Sequence, residues 1–278
     1  MALSLFSAAP TLRIGAAPLA QSRVAAPTMH TNIFPTFTIL DEAKAKPLME
    51  KCVESTKGEA GCIYYGWTTT EIDGKKKLFC RETYVDGAAV ATHLGLAGPV
   101  VGEMIEIGAV ALDEIGIMGT EADLAACKEA GDGLGCGYWK VWDSFENMKK
   151  VDGENADTSK FLTIQPTFTI NDMAKAEPFM KKCVDLTKTE DGCMFYGWTV
   201  KDDKLFCREA YVNGKAVAAH IDNVVGAVGE MLESGAASLD KIELHGPASE
   251  WPDCKEQCDS LGMVYWDTAG TFSKFRMP

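Results

Sequence analysis

The stretch LFCRETYVDGAAVATH, Leu78 to His93, returns as LFCREAYVNGKAVAAH, Leu205 to His220, at an offset of 127 residues. Upstream, PTFTILDEAKAKPLMEKCVESTKGEAGCIYYGWT (Pro35 to Thr68) returns as PTFTINDMAKAEPFMKKCVDLTKTEDGCMFYGWT (Pro166 to Thr199) at an offset of 131. The offset changes between Trp67 and Leu78, where the second copy is four residues shorter. A length change confined to one place marks a hairpin tip, where insertions cost little. Solenoid units run at about 20–50 residues, so a period this long means duplicated domains. Each is roughly 115 residues, an ordinary size for one core. The expected division is a first repeat over 32–150 and a second over 151–278, joined by a polar linker at about 147–161.

Within a repeat, PTFTI alternates as a strand and DEAKAKPLMEKCVESTK has helical spacing behind the candidate N-cap Asp41, with Pro47 placing the regular helix start. GCIYYGWT and KLFCRETYV form a hairpin turning at Asp73-Gly74, a register that sets Cys80 opposite Trp67 and Cys62 opposite Val85. GAAVATHLGLAGPVVGEMIEIG is helical with a break expected at Gly98-Pro99, and AVALDEIGIMG closes the unit as a strand. The order β-α-β-β-α-β is ferredoxin-like, an α+β arrangement with both helices on one face of an antiparallel sheet. Two tandem copies can bury their bare faces against each other, giving a monomeric pseudo-dimer.

The composition, 46% hydrophobic and 24% charged, is that of a globular chain. A formal charge of −13 excludes phosphate-backbone binding as a leading function. No transmembrane segment is expected, because the longest apolar region, LGLAGPVVGEMIEIGAVAL, is interrupted by Glu103 and Glu106. Before Asp41 the only charges are Arg13 and Arg23, in an Ala-, Ser- and Pro-rich leader. Residues 1–31 therefore read as an organelle transit peptide, with the plastid as the expected location. Of the ten cysteines, Cys52, Cys62 and Cys80 recur as Cys183, Cys193 and Cys207 in apolar patterns, so they read as buried thiols. Cys127/Cys136 and Cys254/Cys258 lack metal-ligand spacing, and no metal is expected.

The run from Gly61 to His93 resembles the core of the antibiotic biosynthesis monooxygenase (ABM) family, with Leu78, Cys80, Glu82, Tyr84 and His93 at the motif positions, as are Leu205, Cys207, Glu209, Tyr211 and His220. The resemblance covers about 80 residues of each repeat and implies a dimeric α+β barrel, here closed within one chain. That superfamily includes cofactor-independent oxygenases of quinols and phenols, haem degraders and isomerases. The haem degraders' asparagine on the first strand is missing from PTFTI, and no second histidine follows His93 or His220. The resemblance thus implies a small aromatic or quinone-like substrate and no cofactor.

Strand alternation puts Cys80, Glu82 and Tyr84 on one face with Tyr65 and Trp67, and Phe79, Arg81 and Thr83 on the other with Tyr64. A carboxylate on an aromatic face can act as base toward a phenol. The candidate catalytic residues are Glu82, His93, Glu209 and His220, and the candidate ring-binding residues are Tyr65, Trp67, Tyr84, Tyr196, Trp198 and Tyr211. The alternative is that the same groups are scaffold, with Trp67 and Trp198 as core. Arg81 and Arg208 read as solvated or helix-covering strand arginines, with anion binding as their alternative. His245, where the first repeat has Met118, is expected to enrich the second site. A non-catalytic function also fits: a ligand-binding or accessory subunit of a plastid complex, docking through the barrel's outer face and the YWK and YWD tails. An apolar cavity beside Glu82 or Glu209 favours the enzyme, whereas a filled barrel and a large exposed aromatic patch favour the accessory subunit.

Overall fold

The computed structural model describes residues 30–147 and 160–273, with backbone alone for 271–273. The proposed leader and linker therefore lie largely outside the described residues. The first repeat comprises β1 (Thr31–Ile39), α1 (Glu42–Thr56), β2 (Cys62–Ile72), β3 (Lys75–Tyr84), α2 (Gly87–Glu106), β4 (Val110–Gly119), α3 (Glu121–Asp132) and β5 (Gly137–Glu146). The second comprises β6 (Leu162–Ile170), α4 (Met173–Thr187), β7 (Cys193–Lys201), β8 (Lys204–Tyr211), α5 (Gly214–Glu233), β9 (Ala237–Gly246), α6 (Lys255–Ser260) and β10 (Val264–Ser273).

The ferredoxin-like order holds in both halves, and the two sheets close into one barrel in the order β1-β3-β2-β10-β9-β6-β8-β7-β5-β4. The tails close it. β5 leaves β4 in parallel and pairs antiparallel with β7 of the other repeat, while β10 does the same between β9 and β2. YWK and YWD are thus barrel strands whose Trp139 and Trp266 are buried among the interior rings of Phe34, Phe79 and Phe206. They are not docking tails, because closing the sheet edges consumes them.

Local chemistry accounts for the elements. Asp73 and Gly74, both at positive φ, make the expected two-residue turn between β2 and β3, and Trp67 stands opposite Cys80. Cys62 faces Tyr84 rather than Val85, since a bulge between Cys62 and Tyr64 shifts the register by one residue. Asp41 caps α1 by accepting from the Lys44 amide at 3.2 Å, and the helix starts at Glu42 with Pro47 inside it, sacrificing one backbone bond instead of delaying the start. Likewise α2 runs unbroken through Pro99. Among the described residues α2 is the one helix long and apolar enough to cross a membrane, yet it lies on the sheet with Val90, Leu94, Val100 and Met104 buried. Its N-terminus abuts α3: a Cβ on Gly87 would meet the Asp123 carbonyl oxygen at 2.0 Å, so only glycine fits.

Strand alternation separates two compartments in each half. Cys80, Tyr65, Trp67 and Tyr84 face outward into the core beneath the helices, and Cys207, Tyr196, Trp198 and Tyr211 do so in the second repeat. All ten cysteines are free and buried, and burial pushes the Cys80 and Cys207 thiols well above their usual range.

Arg81 and Arg208 are 3% and 2% exposed, which corrects the expectation of solvated or helix-covering arginines. Being one residue out of phase with Glu82 and Glu209, they point into the barrel and reach the opposite repeat, Arg81 donating also to Tyr64 of its own. Arg208 binds the His30 carbonyl at 3.3 Å, Glu146 at 3.2 Å and the Asn32 side chain. Arg81 binds the His245 carbonyl at 3.1 Å and the Tyr64 hydroxyl at 2.7 Å. Asn32 itself overturns the expectation that the first strand offers no asparagine, because β1 begins four residues before Pro35. Its amide donates inside the barrel, to Thr83 at 2.7 Å and to the Glu82 carbonyl at 2.9 Å.

Candidate functional site

β3 ends by carrying Glu82 and Tyr84 outward, and α2 lays His93 across them. Tyr84 donates its hydroxyl to Glu82 Oε2 at 2.8 Å, and His93 Nε2 lies 3.1 Å from the same oxygen. On the other side His93 Nδ1 lies 3.0 and 3.1 Å from the two oxygens of Glu59, in the turn after α1. The second repeat repeats the chain: Tyr211 donates to Glu209, His220 Nε2 is 2.8 Å from Glu209 Oε2, and His220 Nδ1 is 3.0 Å from Glu190. Asn223 adds a donor to Glu190 at 2.8 Å.

Each imidazole is therefore clamped between two carboxylates. Burial works to lower its pKa, but the charge of Glu82 or Glu209 and the hydrogen bonds the imidazole donates to both glutamates outweigh it, raising His93 and His220 to about 9. At neutral pH both are imidazolium ions donating through both nitrogens. The adjacent phenols Tyr65, Tyr84, Tyr196 and Tyr211 are pushed well above their ordinary pKa, first by burial, and stay protonated. Trp67 and Trp198 are core residues that anchor their indole N–H groups on the carbonyls of Met49 and Met180, at 3.3 and 3.1 Å.

In the second repeat this chain borders a cavity of about 140 Å³ between sheet and helix, with Glu209 and His220 in its lining. Ile164, Phe168, Tyr196 and Trp198 supply the sheet wall, while Val224 and Val228 of α5 and Met263 before β10 supply the rest. A dry apolar cavity of roughly 150 Å³ is known to hold one benzene ring. The equivalent first-repeat positions to Val224, Val225 and Met263 are Ala97, Gly98 and Cys136.

All four candidate catalytic residues thus come together in pairs, on the outward face of the sheet. Of the ring-binding candidates, Tyr196 and Trp198 line the cavity, whereas Tyr84 and Tyr211 hold the glutamates. His245 does not join the second site. Alternation turns it into the barrel, where it is stacked 4.9 Å from Trp266 and 2.8 Å from Thr68 Oγ1. Burial foremost, then the charge of Arg81, holds its pKa well below the usual value. Glu59 and Glu190 were not singled out by pattern, although they recur at the 131-residue offset ahead of Gly61-Cys62 and Gly192-Cys193. Inside the barrel, among the described residues, the cavity beside Arg81, Arg208 and Gln165 has about 10 Å³, room for one water. The exposed large hydrophobic residues are all aliphatic among the described residues.

No family model matches the chain, and no curated relative does. Solved structures show the fold. A "Putative monooxygenase" from Fusobacterium nucleatum subsp. nucleatum superposes with a TM-score of 0.52 at 14% identity, over 77% of this chain and 90% of that one. Another "putative monooxygenase", from Lactobacillus acidophilus NCFM, gives 0.47 at 13% identity over 77% and 91%. MupZ from Pseudomonas fluorescens gives 0.38 at 22% identity, covering 41% of this chain and 94% of its own. The chain is an α+β protein of the dimeric α+β barrel architecture, formed by tandem ferredoxin-like repeats.

Proposed function

We propose that this protein is a tandem member of the ABM family acting as a cofactor-independent monooxygenase on a single-ring phenol or hydroquinone, bound in the second repeat against Glu209. The observation that carries this reading is the benzene-sized apolar cavity with one buried carboxylate–imidazolium pair in its wall. Tyr196 and Trp198 face the ring, and the phenolic oxygen points to Glu209. The carboxylate takes the phenol proton as the ring gives an electron to dioxygen. Superoxide and phenoxyl radical then combine to a ring peroxide anion, which takes the phenol proton back from Glu209; the ring C–H proton is lost as the O–O bond breaks and joins the departing hydroxide, so that one phenol and one O₂ become one quinone and one H₂O. His220, held as imidazolium, balances the charge on Glu209 and orients it, and ends the cycle with its proton unchanged. The small size of the cavity beside Arg81 and Arg208 does not oppose this, because the proposed site lies outside the barrel, under α5.

The acid-free leader further supports import into a plastid. The His30 imidazole lies 2.5 Å from Glu146, a contact that supports processing ahead of it. N-terminal sequencing of the native protein is expected to find a start between Ala25 and His30; an intact Met1 contradicts import. For the reaction, oxygen uptake is measured with phenol and hydroquinone as probes, alongside calorimetric binding. Saturable uptake with quinone formed in equal amount is expected. Binding without uptake leaves a ligand-binding accessory protein, and absence of both removes the cavity's assignment.

A further inference from the structure

The two tail strands pass the opposite repeat with the same irregularity and different side chains. β5 bulges between Val141 and Asp143 as it crosses Trp198, and β10 between Thr268 and Thr271 as it crosses Trp67. At equivalent places in these bulges stand Trp142 and Ala269. Trp142 packs, partly buried, on the second repeat's core, which contains Met180, Val184 and Trp198. Ala269 instead borders an open groove of about 540 Å³ whose floor holds Met49, Val53 and Trp67, the matching first-repeat residues. The walls have changed in concert: the partly buried Met173 and Val200 of the second repeat correspond to Glu42 and Thr69. A mere loss of packing would leave an apolar hole, whereas here the enlarged space has also acquired a polar rim.

We infer that this first-repeat groove is a second ligand site, binding a flat bicyclic aromatic molecule where the other half places its own indole. Its volume lies within the roughly 300–1,000 Å³ of small-molecule sites, and its apolar floor with polar edges has their usual character. The rim carries Glu42, Glu50, Glu54, Lys46, Lys57 and Lys76, so it is formally neutral. Lys76 pairs with Glu42 at 2.6 Å and Lys57 with Glu54 at 2.7 Å, while Lys46 has no carboxylate within ion-pair distance among the described residues. The ligand is accordingly uncharged, with a hydroxyl or carbonyl on one edge for Lys46 and Thr69 and its ring plane on Met49 and Val53. The site stands apart from Glu209 and does not depend on the chemistry proposed there.

The molecule's own duplication supplies the test, with indole as probe and the full chain in calorimetry and thermal unfolding. Wild type is expected to bind indole; Ala269→Trp weakens this at least tenfold and raises the Tm, because the side chain fills the groove as Trp142 fills its counterpart. Trp142→Ala is expected to add a binding event and to lower the Tm, part of which indole restores. Indole binding that survives Ala269→Trp, a lower Tm in that variant, or no binding to wild type overturns the inference.

Discussion

Beneath the long helix of each repeat lies one hydrogen-bonded chain, Glu59–His93–Glu82–Tyr84 in the first and Glu190–His220–Glu209–Tyr211 in the second, with nearly equal distances. Around it the walls diverge, with Ala97, Gly98 and Pro99 on α2 against Val224, Val225 and Gly226 on α5. The inner ends diverge too: Thr68 meets His245, while Thr199 meets Met118 at 3.8 Å. What both halves retain is what each half's stability needs, since a buried carboxylate must keep its donors. Where the walls differ is where function is to be sought.

The largest difference is expected in turnover. Glu209→Gln should lower oxygen uptake by about 10²–10⁴, the range for a lost general base, while Glu82→Gln should leave it within a few-fold. Both should lose stability by a similar amount, roughly 1–3 kcal/mol for a buried network member. Equal turnover losses in the two variants would make the halves equivalent sites.

The next effect is shared by the halves. Because His93 and His220 have folded pKa values near 9 against about 6.5 when unfolded, their stabilisation is complete below pH 6.5 and is lost as pH rises through 9. Each contributes roughly 3 kcal/mol over that window. Denaturant unfolding from pH 6 to 10 should show this fall, with half the slope in His220→Gln; a flat profile contradicts the imidazolium assignment.

A smaller effect belongs to the second repeat alone. His245 is buried with a depressed pKa, so the unfolded chain takes up its proton first and stability falls below pH 6.5. His245→Met, which copies Met118, should remove this loss of stability at acid pH while leaving turnover unchanged. A loss of turnover would tie the barrel interior to the reaction.

Much of this was legible in the chain itself. Repetition exposed the duplication, the Asp73-Gly74 turn fixed the hairpin register, and alternation assigned Glu82 and Arg81 to opposite faces. Alternation does not say which face is inside, so Arg81 and Arg208 read as solvated or helix-covering although the closed barrel buries them. The role of the tails was hidden for a related reason: β5 and β10 are completed by strands of the other repeat, a long-range pairing with no local signal. His245 was credited to the second site by sequence proximity, but Leu244, not His245, faces the helix-side core. Glu59 and Glu190 lay in a turn, where periodicity gives no guide, and only their recurrence marked them.

The most direct test of the account is where a phenol sits. A crystal structure of the protein soaked in phenol should show one ring between Trp198 and Val224, its oxygen within hydrogen-bond distance of Glu209. Density for the ring beside Glu82 or inside the barrel instead, or none in the second-repeat cavity at saturating phenol, would contradict it.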